Sequence, residues 1–199
     1  MLPEYQDRFF NQVKERRIEY LRQRGFNVPK HVASLRSLKE VAVFCRDHKE
    51  KRFSFRTQRT DPNQDFGTPY HFPNMEIGGE NTKKLCKAVR NGFEILVYEA
   101  IDPEEAMDKG NVWFDKLSGK IVIESKEGPG TVREIEKGGI KVQEFNTSKM
   151  DVEEAKLFGY PLKSFLDIPF DSFIIEFSKY RIPVGTKNDN FIFWEIRRG

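Results

Sequence analysis

Long apolar runs are missing from this 199-residue chain. A membrane-crossing helix needs about 20 mostly apolar residues, so no span is read. The first ten residues, MLPEYQDRFF, carry acids and no apolar centre, and are not read as a signal peptide. Cysteine is scarce. Cys45 and Cys86 are too few for a disulfide scaffold, and both fall in helical patterns. They read as reduced core residues of a cytoplasmic protein. An excess of one charge is also missing: 34 Lys and Arg against 31 Asp and Glu give a net charge of +3. That balance is not the footprint of a dedicated nucleic-acid binder, although a pI of about 8.7 is compatible with weak binding. There is no internal repeat and no low-complexity tract.

What is there, first, is length enough for one good core or two lobes. The chain ends on two aromatic, β-branched runs, Phe173–Phe177 and Phe191–Arg197, joined by a link rich in turn formers. A hairpin or two neighbouring strands is expected. Each strand carries one carboxylate in an apolar run, Glu176 and Glu195. Side chains alternate along a strand, which puts Glu176 with Ile174 and Ser178, and Glu195 with Phe191, Phe193 and Arg197. Two such carboxylates on adjacent strands repel unless a cation lies between them. A hard, oxygen-seeking ion such as Mg²⁺ answers that need. The plainer alternative pairs Glu195 with Arg197, and Glu176 with Arg181 or a lysine.

The rest of the chain reads as a helix over 4–24 closed by Gly25, an extended link Phe26–Pro29, and a helix opened by a capping box, Ser37-Leu38-Lys39-Glu40. A strand follows over Arg52–Thr57, with Phe53 and Phe55 on one side and Ser54 and Arg56 on the other. Residues 57–80 read as a long polar loop carrying Arg59, Asp61, Asp65, Thr68, Tyr70 and His71, and loops of that length are often functional. His71 reads first as a structural hydrogen-bonding group. A helix over 82–91 and a central strand Phe93–Glu99 come next. Asp102 and Pro103 start a short helix. Strands over 111–114 and 120–124 form a hairpin through Leu117-Ser118-Gly119. Gly128-Pro129-Gly130 allows a turn close to a phosphate. A strand near 139–145 follows, then a helix capped by Asp151 and Glu154 and ended by Gly159. Trp113 and Trp194 read as core aromatics. The order of elements gives α+β or α/β, with mostly antiparallel sheets, and α+β is the class taken. Two lobes are expected, 1–92 and 93–199.

Taken in order, these pieces resemble the ATP-grasp fold, and within it the nucleotide-binding domain of phosphoenolpyruvate synthase and pyruvate phosphate dikinase. Gly25-Phe26-Asn27-Val28-Pro29 ahead of the capping-box helix is similar to that family's G-x-x-V-P. Phe53–Thr57 falls where it has a V-R-S-S strand. Val97-Tyr98-Glu99-Ala100-Ile101 resembles its V-Q-E-M-V hinge, and Gly110–Phe114 its S-G-V-x-F strand. Ile121–Glu124 with Gly128-Pro129-Gly130 resembles the strand and turn ahead of its metal site. Ile175-Glu176-Phe177 resembles I-E-W, and Phe193–Arg197 the closing I-L-Q-A-R. Glu195 stands where the family has glutamine, Arg-Thr-Gln-Arg replaces Arg-Ser-Ser, and a substrate lobe is reduced or missing.

The resemblance implies ATP and Mg²⁺ as cofactors. Tyr98, Glu99, Ala100 and Ile101 would meet the adenine edge, and Ile121 or Ile175 its face. Arg56 and Arg59 would neutralise phosphate oxygens, since a guanidinium fork suits a phosphate. Glu176 and Glu195 would hold the metal. Phosphoryl transfer or ATP-dependent ligation then follows from positioning and charge neutralisation. The implied partners are nucleotide and an acceptor, either a small molecule or another protein; a second copy of the chain is one way to complete the site. Arg56 and Arg59 also read as surface residues bridging to Asp61 and Asp65, and Glu99 as a solvated strand end. Two rival functions stand beside this one. The first is a nucleotide-binding subunit or sensor without turnover. The second is an RNA binder using Lys14, Arg16, Arg17, Arg22 and Arg24, with Phe53 or Phe55 as a stacking surface.

Overall fold

A computed structural model describes residues 3–10, 14–59, 70–130 and 139–199. Asp61, Asp65 and Thr68 of the long loop, Val13, Gly138 and Thr131-Val132-Arg133 lie outside the described residues. In chain order the elements are α1 (Pro3–Phe10), α2 (Lys14–Gln23), β1 (His31–Leu35), α3 (Leu38–Asp47), β2 (Arg52–Arg59), β3 (His71–Glu76), α4 (Gly79–Arg90), β4 (Phe93–Glu99), β5 (Ala106–Asp115), β6 (Lys120–Glu127), β7 (Lys141–Asn146), β8 (Lys156–Leu157), β9 (Tyr160–Pro161), α5 (Leu162–Leu166), β10 (Ser172–Val184) and β11 (Asp189–Arg198). No helix among the described residues is long and apolar enough to cross a membrane.

The chain divides into two units. One takes in Pro29–Pro103 with Glu15; the other takes in Arg16–Val28, Glu104–Gly199 and α1. The division thus falls after Pro103, not after Gly92. The reason is pairing: β4 is bonded to both β1 and β2, so a break at residue 92 would cut a central strand from its sheet.

In the Pro29–Pro103 unit the strand order is β1-β4-β2-β3, all neighbours antiparallel. Period-two alternation on β2 and β4 separates two faces. Phe55, Ile95 and Val97 point to the side that packs Val41, Phe44 and Cys45 of α3 and Leu85 and Ala88 of α4. Ser54, Arg56 and Gln58 point the other way, opposite Tyr98, Leu96 and Glu94. The expected loop 57–80 is shortened by the end of β2, interrupted by β3 and entered by the first two residues of α4. Polar composition and Pro73 concealed β3, which is an edge strand where a missing amide is tolerated. Its register slips between Met75 and Phe72, and Asn74 takes φ 44° there, which asparagine tolerates.

The capping box at α3 is complete. Ser37 Oγ accepts from the Glu40 amide at 3.2 Å, and Glu40 Oε2 accepts from the Ser37 amide at 2.9 Å. Ser37→Ala is expected to cost about 1 kcal/mol. A urea titration checks this through the unfolding midpoint at unchanged slope.

The Glu104–Gly199 part folds as a five-stranded antiparallel sheet, order β11-β10-β5-β6-β7. One face carries the core: Val112, Phe114, Ile121, Ile123, Phe173, Ile175, Phe177, Phe193 and Ile196 are all nearly inaccessible. Phe165 of α5 and Phe26 pack there on Phe193, at ring distances of 5.9 and 5.3 Å. Where a helix is expected over 151–158 there is none. Asp151 Oδ1 accepts from the amides of Glu153 (3.1 Å) and Glu154 (3.4 Å), and the Ala155 amide donates to the Asp151 carbonyl at 2.8 Å, but this single turn is not continued and β8 begins at Lys156. Gly159, at φ 83°, links β8 to β9, and the helix α5 begins only at Leu162.

Candidate functional site

The closing hairpin sets the geometry. Glu176 is directly opposite Glu195 in the register of β10 and β11. Opposed residues share a face, with Cβ atoms about 5 Å apart. Strict alternation puts Glu195 on the side of Phe193, and the structure does not. Phe177 pairs with Phe193 while Glu176 pairs with Glu195, so one extra residue, Trp194, is accommodated between them. This bulge sends Phe191 and Phe193 to the core face and brings Glu195 to the face of Glu176.

Continuing across the sheet, that face carries Asn111, opposite Glu176, and Glu124, opposite Asn111. Lys109 lies opposite Ser178. Trp194 Nε1 donates to Ser178 Oγ at 2.8 Å, which fixes the indole of the bulge. Trp194 is buried as expected, whereas Trp113 is 37 % exposed and donates to Glu124 Oε2 at 3.0 Å.

Both carboxylates are met by guanidinium groups. Arg17 Nη2 is 2.8 Å from Glu195 Oε1, and Arg17 Nη1 donates to the Ile196 carbonyl at 3.3 Å. Arg197 Nη2 is 3.5 Å from Glu176 Oε1 and 3.5 Å from Asn111 Oδ1. Arg197 therefore pairs with Glu176 across the hairpin, and Glu195 takes Arg17 from α2. Sequence reasoning singled out the two glutamates but not Arg17 as a partner or Asn111 as a neighbour. Only the pairing of β5 with β10 could have exposed Asn111.

Lys109 is nearly inaccessible, and its Nζ donates to the carbonyls of Gly128 (3.2 Å) and Pro129. The glycine turn thus has its carbonyls held by a lysine, with Gly128 at φ 95° and Gly130 at φ 110°.

Ile121 and Ile175 are 2 % and 0 % exposed on the core face, the side of the sheet away from Glu176 and Glu195. The structure does not bring them together with the glutamates. In the Pro29–Pro103 unit, Arg56 and Arg59 also separate. Arg56 is opposite Leu96 and Arg59 opposite Phe93, on opposite faces of β2. Arg56 shares its face with Tyr98; Arg59 turns to the helix side. Glu99 is not a solvated strand end: its Oε1 accepts from the Lys30 amide at 3.0 Å, and its own amide donates to the Lys30 carbonyl at 2.9 Å. The Ile101 amide donates to Ser54 Oγ at 3.3 Å, and Ala100 is exposed. His71 lies on β3 opposite Arg56.

Several residues read for RNA binding are engaged within the fold. Phe55 is fully buried and Phe53 stacks edge-on to Phe44 at 5.2 Å. Arg22 is paired with Glu19, and Arg24 donates to the Asp167 carbonyl at 3.0 Å.

No family model and no curated protein sequence matches the chain. Solved structures do. The crystal structure of macrocyclase MdnC bound with precursor peptide MdnA, from Microcystis aeruginosa MRC, matches 98% of this chain and 53% of its own, with TM-score 0.55 and 13% identity. Macrocyclase MdnB from the same organism matches 97% of this chain and 53% of its own, with TM-score 0.50 and 10% identity. A RiPP-associated ATP-grasp ligase from Chryseobacterium gregarium, in complex with ADP and a leader and core peptide, covers 95% of this chain and 52% of its own, with TM-score 0.47 and 10% identity. The chain spans about half the length of the structures it matches. None of the three is a phosphoenolpyruvate synthase or a pyruvate phosphate dikinase. At such identities the likeness is one of fold, and the fold is α+β with mostly antiparallel sheets and flanking helices, ATP-grasp-like.

Proposed function

We propose that this chain is the nucleotide-binding part of an ATP-dependent ligase of the ATP-grasp type, acting on a peptide or another carboxylate-bearing acceptor. The observation that carries this reading is the fold likeness to macrocyclase MdnC over nearly the whole chain. Fold alone is an analogy for function. Residues of the Pro29–Pro103 unit add to it. The end of β4 leads into the Tyr98–Ile101 segment, whose backbone would meet the adenine edge. Arg56, on the same sheet face as Tyr98, would neutralise phosphate charge; Arg59 is excluded from that face. The acceptor carboxylate would take the γ-phosphoryl group as ADP leaves, and a nucleophile would then displace phosphate. A peptide acceptor is favoured because the MdnC structure is bound with its precursor peptide.

A thermal-shift screen tests this. Adenine nucleotide at about a hundred times its Kd adds about 2.7 kcal/mol, or about 5–10 °C for a chain of this size. Arg56→Ala is expected to reduce that shift, and Arg59→Ala to leave it unchanged. No shift with ATP or ADP at millimolar concentration would overturn the reading.

A nucleotide-binding unit without turnover is the second reading, and the state of the two glutamates favours it. The fold family implies Mg²⁺. Glu176, Glu195 and Asn111 supply oxygen donors on one face, the right chemistry for that ion. Yet each carboxylate already holds a guanidinium. As arranged, these residues do not fit a divalent cation. Measuring ADP release alongside nucleotide binding separates the two readings.

A further inference from the structure

We propose that the outer edge of β7 is a docking site for an extended peptide, which joins the five-stranded sheet as a further strand. That the peptide belongs to the acceptor rests on the function proposed above; the state of the edge does not.

β7 ends the strand order of its sheet, and every residue from Lys141 to Asn146 is exposed. Its hydrogen-bonding phase follows from the residue after it. The Thr147 amide donates to the Gly119 carbonyl at 2.9 Å, in line with the register of β6 and β7. Pairs along an antiparallel ladder alternate between bonded and non-bonded. Lys141, Gln143 and Phe145 therefore bond to β6, while Val142, Glu144 and Asn146 turn their amides and carbonyls outward. The far side of β6 agrees. There the Gly128 amide donates to the Met107 carbonyl at 2.9 Å, so the even-numbered residues of β6 bond to β5 and the odd-numbered ones to β7. Among the described residues no strand takes up the outward groups of β7.

Open edges in folded proteins are usually guarded by proline, by a bulge or by charge. The other edges of the two larger sheets are guarded in this way. β3 has Pro73 and a slipped register, β1 slips against β4 between His31 and Ala33, and β11 carries the bulge at Trp194. β7 has no proline and pairs with β6 without a slip. Its two charges are drawn inward, Glu144 to Lys120 at 3.2 Å and Lys141 to Glu127. Apolar surface flanks the edge on both faces, with Val142 56 % and Phe145 37 % exposed. An added strand would lay alternate side chains beside each. Its backbone would supply affinity, and the two apolar contacts preference. The ligand class is a segment as long as β7, rich in β-branched or aromatic side chains. A second copy of the chain fits less well. An edge of this length measures about 20 Å by about 10 Å, so two copies would bury ~400 Å² there, short of the ~1,000 Å² of a stable dimer.

Amide hydrogen exchange, followed residue by residue by NMR, tests this. The probe is a synthetic peptide copying Lys120–Glu127, the sequence that already pairs with β7 on its inner side. In the protein alone, Val142, Glu144 and Asn146 are expected to exchange fast, and Gln143 and Phe145 slowly. With the peptide at millimolar concentration the first three slow by at least about threefold. Methylating one alternate set of the peptide's amides abolishes the effect, and methylating the other set does not. Glu144→Pro removes only an outward donor, and with it the slowing at Val142 and Asn146 is lost. Circular dichroism checks that this variant is folded; Val142→Pro serves if it is not. Unchanged exchange at the three residues, or slowing that survives the proline, overturns the proposal. Slow exchange there in the protein alone, together with a dimer in sedimentation that Glu144→Pro dissociates, makes the occupant a second copy and overturns it also. Absence of a thermal shift with ADP on the same protein would remove the nucleotide reading instead, and the exchange measurement would still decide the edge.

Discussion

Asn27→Ala is expected to lower stability by about 3 kcal/mol, although Asn27 lies in a segment without regular structure. The side chain is fully buried and all of its hydrogen-bonding capacity is aimed at the closing hairpin. Its Nδ2 donates to the Val184 carbonyl at 2.7 Å and the Phe191 carbonyl at 2.8 Å, and its Oδ1 accepts from the Lys187 amide at 2.7 Å. Truncation leaves three part-buried backbone groups short of a partner, each bond worth about 1 kcal/mol. Neighbouring backbone bonds, from Phe193 to the Asn27 carbonyl and from Thr186 to the Val28 carbonyl, depend on the same docking. Tyr160, which accepts from the Asn27 amide at 3.2 Å, has its phenol pushed well up by burial and by Asp189, so it stays neutral. Asn27→Asp provides the control. It keeps the acceptor for Lys187 but sets carboxylate oxygen against two carbonyls, so it should cost at least as much as alanine. Urea denaturation of both variants measures this, and a loss below about 1 kcal/mol would show that the hairpin does not lean on Asn27.

Gly110→Ala should be similarly costly, about 3 kcal/mol, for a reason of space rather than backbone conformation. Gly110 lies in β5 between Phe177 of β10 and Ser125 of β6. A Cβ there would strike the Glu124 carbonyl oxygen and come within 2.7 Å of the Phe177 ring. The carbonyl belongs to the sheet and cannot retreat. The ring is held by Phe158 at 4.4 Å. Because one of the two obstacles is a side chain, Phe177→Leu is expected to recover part of the loss when combined with Gly110→Ala. A double-mutant cycle should give a coupling of about 1 kcal/mol or more. Strict additivity would place the clash elsewhere.

Gly110 also shows how far a sequence can be read. Its place beside Asn111-Val112-Trp113-Phe114 was recognisable as a motif, but the reason for the glycine lies in Phe177 and Glu124, remote in sequence. The same holds for the hinge segment. β4 is legible residue by residue, as Phe93–Glu99, because a central strand is apolar throughout. β3 is not, because an edge strand with Pro73 and Asn74 looks like a loop until β2 is set beside it. The helix expected at Asp151 stops after one turn, because the chain passes directly into β8 at Lys156 and the Gly159 link. Of the site residues, Glu176 and Glu195 were visible as acids in apolar strands. Their arginine partners were not, because Arg17 reaches Glu195 from the other end of the chain.

What the order of residues determined by itself is local: the α+β alternation, the capping box at Ser37, the hairpins, and the presence of one carboxylate in each closing strand. These follow from side-chain period, turn chemistry and capping, which act within a few residues. What only the tertiary structure decided is which face each group occupies and what it meets. A single extra residue at Trp194 turned Glu195 onto the face of Glu176, and Arg17 then supplied the opposing charge. Strand register and the pairing of distant charges depend on chain segments that meet only after folding, so no local pattern encodes them.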